Sequence, residues 1–202
     1  DFRARQHAIM YGNALGFSLE MGNKRWGSDS TLDYWKANTW YEHGIRFFRR
    51  HNLILRAGGS AGERLPLWSE NSAGGTNLRG YLYRQFQGDT HLRTQIEYHF
   101  PLFSMWELDV RGLVFNDTAA IWYRKLPLTN IDSTAYEPRP DGRQFLPPGL
   151  LHQGFQFAQD AHASAGAGIR FYLRTVAIPL VGVDVGNGLG TRAVRVIIVL
   201  GQ

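Results

Sequence analysis

Along residues 92–100 polar and apolar side chains alternate without a break. Leu92, Thr94, Ile96, Tyr98 and Phe100 share one face, and Arg93, Gln95, Glu97 and His99 share the other. A period of two marks a β-strand with two unlike faces. The same period returns over 163–173, where Ala163, Ala165, Ala167, Ile169, Phe171 and Leu173 oppose Ser164, Gly166, Gly168, Arg170 and Tyr172. Residues 176–186 set Val181, Val183 and Val185 against Gly182, Asp184 and Gly186, and a last segment aligns Val194, Val196, Ile198 and Leu200. Further strands are predicted near 7–21, 31–47, 52–60 and 105–123, the first two with weak patterning. The total is about eight strands, all antiparallel.

One apolar face against one polar, glycine-bearing face, over roughly ten residues per strand, is the pattern of a transmembrane β-barrel. The links support it. Short ones fall near 48–51, 102–105 and 173–176, and long ones at 22–30, 61–90 and 124–161. Outer-membrane barrels alternate short periplasmic turns with longer outer loops, which places both chain ends on the periplasmic side. Aromatic residues such as Trp40, Tyr41, Phe47, Phe48, Tyr98, Trp106 and Trp122 gather toward strand ends, where interfacial girdles lie. The predicted fold is therefore all-β, a single antiparallel barrel domain over 1–202 in the bacterial outer membrane, with 124–161 as a long outer loop.

Composition agrees with this. The chain carries 23 glycines and 13% aromatic residues, and it lacks long Leu/Ala/Glu/Lys segments. It contains no cysteine, which removes disulfides, thiolate metal sites and a cysteine nucleophile. No run of about eighteen apolar residues is present, so no transmembrane helix is predicted. The net charge of +5 comes mainly from single arginines spaced within apolar runs, which argues against nucleic-acid binding. No HExxH or Cys/His cluster offers a metal site, and Ser164 lacks a GxSxG context. Gly182 to Gly188 lacks the spacing of a calcium loop and reads as hairpin glycines. No catalytic residue, metal or cofactor is expected. The opening Asp-Phe-Arg has neither an initiator Met nor a signal peptide, so a processed or trimmed piece is expected.

The candidate site lies in the 61–90 loop, which is long enough to be functional. Arg79 stands between Leu78 and Gly80-Tyr81. Alternation over 105–119 puts Glu107, Asp109, Arg111, Phe115 and Asp117 on one face, opposite Trp106, Leu108, Val110 and Val114. If the apolar face meets lipid, Asp117 points into the lumen, where a guanidinium can hold it through two parallel hydrogen bonds. The pattern equally allows a solvated Arg79 and an Asp117 that merely lines a wet interior. Arg93, Glu97, Glu107, Asp109, Arg111 and Arg170 are expected to line the lumen.

Leu78-Arg79-Gly80-Tyr81 resembles the Val-Arg-Gly-Phe/Tyr motif of the outer-membrane-assembly and two-partner-secretion transporter superfamily, also called the bacterial surface antigen family. Phe115-Asn116-Asp117-Thr118-Ala119 is similar to its Phe-x-Asp-x-Gly motif, with Ala119 in place of the glycine. Glu97-Tyr98-His99-Phe100-Pro101, the Gly166-Ala167-Gly168-Ile169-Arg170-Phe171 strand and Gly201-Gln202 also resemble family motifs. The order and spacing of these motifs across 75–202 carry the resemblance; residues before about 60 add little.

The resemblance implies that the arginine loop folds into the lumen and contacts the aspartate strand, making Arg79, Gly80, Tyr81, Phe115 and Asp117 a loop latch. It implies a non-catalytic barrel that inserts or translocates other proteins, with a weak seam where client strands pair. Expected partners are outer-membrane lipid, unfolded or partly folded client strands, periplasmic chaperones or accessory lipoproteins, and further copies of the chain. The alternative is a membrane anchor for an upstream passenger such as a patatin-like lipase. Family barrels have about sixteen strands and follow POTRA domains, and no POTRA domain is read within 1–202. A closed eight-strand barrel is filled by its own side chains and has no room for a loop of roughly thirty residues. Either the chain is half of a wider barrel or several copies share one wall.

Overall fold

The structure is a computed structural model that describes residues 1–6, 9–23, 25, 27, 33–66, 68–124, 154–173, 179–191 and 194–200. Its strands are β1 (Ala4–Gln6), β2 (Ile9–Gly22), β3 (Tyr34–Phe47), β4 (His51–Glu63), β5 (Asn71–Ala73), β6 (Phe86–Gly88), β7 (Thr90–Met105), β8 (Leu108–Trp122), β9 (Ala161–Leu173), β10 (Pro179–Gly188) and β11 (Val194–Leu200). A four-residue helix, α1 (Phe157–Asp160), precedes β9.

Nine strands form one sheet in the order β1-β2-β3-β4-β7-β8-β9-β10-β11, every pair antiparallel. Eight of these strands are long, and β1 adds a three-residue edge. Each strand pairs with its neighbour along the chain; the single skip, from β4 to β7, steps over the β5–β6 pair inside the long loop. Among the described residues the sheet does not close, since β11 pairs only with β10 and β1 only with β2.

β2 and β3 are 14 residues each despite their weak patterning. Their register of Leu15 against Tyr41 and Phe17 against Thr39 keeps one apolar and one polar face in line with the rest of the sheet. The β3–β4 link shortens to 48–50 and the β7–β8 link to Trp106-Glu107, because β7 continues to Met105. Residues 125–153 of the predicted outer loop, the 174–178 link and Gly201-Gln202 lie outside the described residues.

Burial is inverted relative to a water-soluble sheet. Leu15, Phe17, Leu92, Val196, Ile198 and Leu200 are exposed, whereas Glu97, Arg111, Asp117, Arg170 and Asp184 are buried. Water disfavours the first arrangement and an apolar interior disfavours the second, so neither face suits a soluble domain. Lipid outside and a polar lumen inside satisfy both. A compact apolar cluster, Ala73, Leu78, Tyr81, Phe86, Ala119 and Ile121, sits where the loop meets the lumenal side of β8.

Extracted in detergent, the protein should migrate faster on a gel when unheated than when boiled. Full solubility without detergent and identical migration in both states would contradict a lipid-facing barrel wall.

Candidate functional site

The 64–89 loop is held in shape before it meets the sheet. Asn71 pairs with Gly88 and Ala73 with Phe86, which forms a short stem. Asn77 braces the tip: its side-chain oxygen accepts from the Gly74 amide at 2.9 Å, and its amide donates to the Ser72 carbonyl at 3.1 Å. The Asn71 side chain donates to the Asp89 carbonyl at 2.9 Å, and the Arg124 amide lies 3.0 Å from the Asp89 carboxylate. The stem is thereby tied to the end of β8.

The tip presses on β10 through glycine. Gly80 has φ +95, a left-handed conformation that side chains disfavour. A Cβ there would come within 2.5 Å of the Gly188 amide and 2.7 Å of the Asn187 carbonyl carbon. On the lumenal face of β10, a Cβ at Gly188 would lie 2.5 Å from the Tyr81 ring, and one at Gly186 would lie 3.0 Å from the Gly80 amide. These glycines form the seat of the loop, a role that their reading as hairpin residues misses. The Tyr81 hydroxyl lies 3.1 Å from the Leu189 carbonyl and 3.2 Å from that of Ala163. Its ring meets Phe86, which stacks on His162 at 3.6 Å.

Seated in this way, Arg79 is 3% exposed. Its Nε donates to Asp117 Oδ2 at 2.8 Å and its Nη2 to Asp117 Oδ1 at 2.7 Å, a bidentate pair. The Arg79 backbone amide adds a 3.1 Å bond to the same carboxylate. Its Nη1 lies 2.7 Å from Glu97 Oε1 and 3.1 Å from Asp184 Oδ2. The Phe115 ring sits 3.5 Å from the guanidinium carbon, a cation–π contact. Burial opposes the charge on Arg79, but the Asp117 hydrogen bonds and the fields of Glu97, Asp117 and Asp184 outweigh it and raise its pKa. Arg79 is a fixed cation.

Each carboxylate comes from a different strand, β7, β8 or β10, and the ion pairs continue outward. Arg170 on β9 grips Asp184 through Nη1 at 2.5 Å and Nη2 at 2.8 Å. Glu97 also binds Arg56 on β4 at 3.1 Å, and its carboxylate lies 3.1 Å from His99. Arg56 binds Glu42 on β3, which receives Arg3 at 2.6 Å. Four arginines thus alternate with four carboxylates across most of the lumenal face.

The structure brings Arg79, Gly80, Tyr81, Phe115, Asp117, Glu97 and Arg170 together. Arg93 faces the lumen from β7, half-buried, but makes no ion pair among the described residues. Asp109 and Arg111 are buried farther along β8: Asp109 lies 3.5 Å from Arg50, and Arg111 donates to the Arg50 carbonyl at 2.7 Å. Glu107 is a correction. It lies exposed in the β7–β8 turn, because strand alternation does not extend into a turn. Sequence reading missed Glu42, Arg56 and Asp184. Asp184 already stood on the glycine face of its strand, but no sequence signal pointed it at Arg79. Ala119 belongs to the apolar cluster around Leu78, so its methyl is accommodated where the related motif has glycine.

A twisted antiparallel wall, apolar toward lipid and charged toward a lumen that holds an inturned arginine loop, defines a transmembrane β-barrel of the outer-membrane type. Residues 11–177 match the Omp85 superfamily domain, and the chain belongs to that superfamily of the bacterial outer membrane. Its fold is similar to that of BamA from Haemophilus ducreyi lacking POTRA domains 1–3, with a TM-score of 0.62 and 16% identity. That likeness covers 95% of this chain but 37% of BamA, so the chain spans well under half of the protein it resembles. No curated protein is close enough in sequence to match.

Arg79→Ala and Asp117→Ala should each cost about 3–5 kcal/mol, because each strands a buried charge. The double variant should be little worse than either single one in a denaturant titration; additive losses would show that the two do not act as a pair. Gly80→Val should unseat the loop and open the Arg79–Gly80 bond to trypsin, while the folded wild type resists cleavage there.

Proposed function

We propose that this chain forms part of the wall of an outer-membrane pore that inserts or translocates other proteins, without covalent chemistry or a cofactor. The observation that carries this reading is the Arg79 guanidinium, buried at 3% exposure and shared by carboxylates of three strands. A buried charge network is a poor route to stability alone, since well-packed apolar residues serve as well or better. It is a good way to hold a loop in one place, and Arg79, Gly80, Tyr81, Phe115 and Asp117 act as that latch.

Among the described residues the outer edge of β11 is unpaired, and that edge supplies the second half of the mechanism, while the β1–β2 edge is where the wall continues. A free edge presents backbone donors and acceptors that template an incoming strand. Client strands pair there, and the lipid-facing apolar surface receives them. The remaining wall comes from further strands of a wider barrel or from other copies of the chain. Periplasmic chaperones or accessory lipoproteins deliver the client.

The sequence contains no cysteine, so single cysteines report without background. With the intact protein in vesicles, an unfolded outer-membrane barrel should insert faster than into empty vesicles. Leu200→Cys on β11 should crosslink to a cysteine in a client strand, and Arg79→Ala should slow insertion. A folded, heat-modifiable protein that neither speeds insertion nor crosslinks would instead favour the anchor of an upstream passenger.

A further inference from the structure

Beyond Arg56 the lumenal face of β4 carries almost no side chain. Gly58, Ser60 and Gly62 follow on the same face, because residues two apart in a strand share one side. Ladder pairing sets Trp40, Asn38 and Lys36 of β3 along one flank of this trough, with Arg93 and His91 of β7 along the other. Ser60 stands directly between Asn38 and His91, and Gly58 between Trp40 and Arg93. Arg93 uses the space at Gly58. Its Nε lies 3.4 Å from where a Cβ of Gly58 would stand, so its side chain leans across β4. The base of the arginine loop closes the far end: Leu65 reaches over Gly62, and the Ser69 carbonyl accepts from Lys36 Nζ at 2.6 Å.

The polar groups of the trough are left without partners. Ser60 is 5% exposed, and its hydroxyl makes no hydrogen bond among the described residues. His91 Nδ1, on the paired residue of β7, is buried and equally unmet. Arg93 makes no ion pair among the described residues. It feels the positive field of Arg56, whose own charge is met by Glu42 and Glu97. His91 in turn feels the positive fields of Arg93 and Lys36. The acid beyond Lys36, Glu20 of β2, already accepts from the Tyr34 hydroxyl at 2.6 Å. Buried donors and a half-buried cation without an acceptor are unfavourable, and an anion with several oxygens removes both costs together.

We propose that this trough binds a small oxyanion of the phosphate class. The Arg93 fork takes two of its oxygens, and the Ser60 hydroxyl and His91 Nδ1–H donate to the others. Water could satisfy Ser60 and His91, but it would leave the charge of Arg93 unmet. The same chemistry occurs in free phosphate and in a phosphomonoester on a lipid. Closure by Leu65 and Ser69 favours the free anion, since an acyl chain has no way past the loop base. Bound there, the anion joins β4 to β7 beside that base and helps to keep the loop seated.

The test uses the intact protein in lipid-free detergent at neutral pH, with chloride holding the ionic strength constant. Radiolabelled inorganic phosphate should bind saturably in equilibrium dialysis and raise the temperature at which the gel band changes mobility. Arg93→Gln should weaken binding about thirtyfold and Ser60→Ala about fivefold, the losses expected for a charge-assisted and a neutral hydrogen bond. Arg93→Lys keeps the charge without the fork and should recover part of the affinity, which separates lost contact from misfolding. Arg25→Gln, on the exposed 22–30 link, should leave binding unchanged. Lysophosphatidic acid carries the monoester on a lipid and should compete more weakly than phosphate; binding of that lipid alone would overturn the enclosed site. Absence of saturable phosphate binding, or full affinity in Arg93→Gln, would also overturn it.

Discussion

Burying a guanidinium is unfavourable unless its charge and donors are met, and that requirement organises the lumenal side of this protein. Arg79 meets it only because Glu97, Asp117 and Asp184 converge from β7, β8 and β10. None of the three is adjacent to it in sequence, so the ion cluster needs the paired strands and the seated loop together. Loop position and wall shape are therefore coupled. Through Glu97, Arg56 and Glu42 the coupling runs on to β3 and to Arg3 beside the first edge.

The glycines of β10 are the steric counterpart of that electrostatic demand. A loop backbone cannot lie against a strand that carries side chains on the contacting face, and Gly186 and Gly188 clear that face for Gly80 and Tyr81. The small apolar cluster around Leu78 then keeps water away from the neighbouring charges. Excluding water strengthens each ion pair and raises the cost of breaking any one of them.

The width of the wall follows from the loop. Eight long strands closed on themselves would fill their interior with side chains. Here the loop occupies the lumenal face and, among the described residues, the sheet stays open, with ladders between all neighbouring strands and none between its ends. The match to 37% of the BamA chain is in keeping with a segment of a larger enclosure.

Much of this was legible in the residues themselves. The period of two assigned strands and faces, because lipid and lumen impose opposite polarity on successive side chains; Asp117, Glu97 and Arg170, all buried, stand on the polar faces of their strands. The same rule failed at Glu107, which sits in a turn, and it does not carry past the register shift between Pro101 and Phe103. It was weak over β2 and β3, whose apolar face also carries Thr39 and Asn13. The motif around Arg79 named one partner, Asp117, in keeping with a local pattern recurring on a single strand. The partners Asp184, Arg56 and Glu42 lie on strands far apart in sequence, and their meeting depends on register, curvature and loop depth together. Sequence by itself determined which side of each strand faces which solvent; only the tertiary structure decided which charges meet, because that is a property of distances between strands and not of order along one.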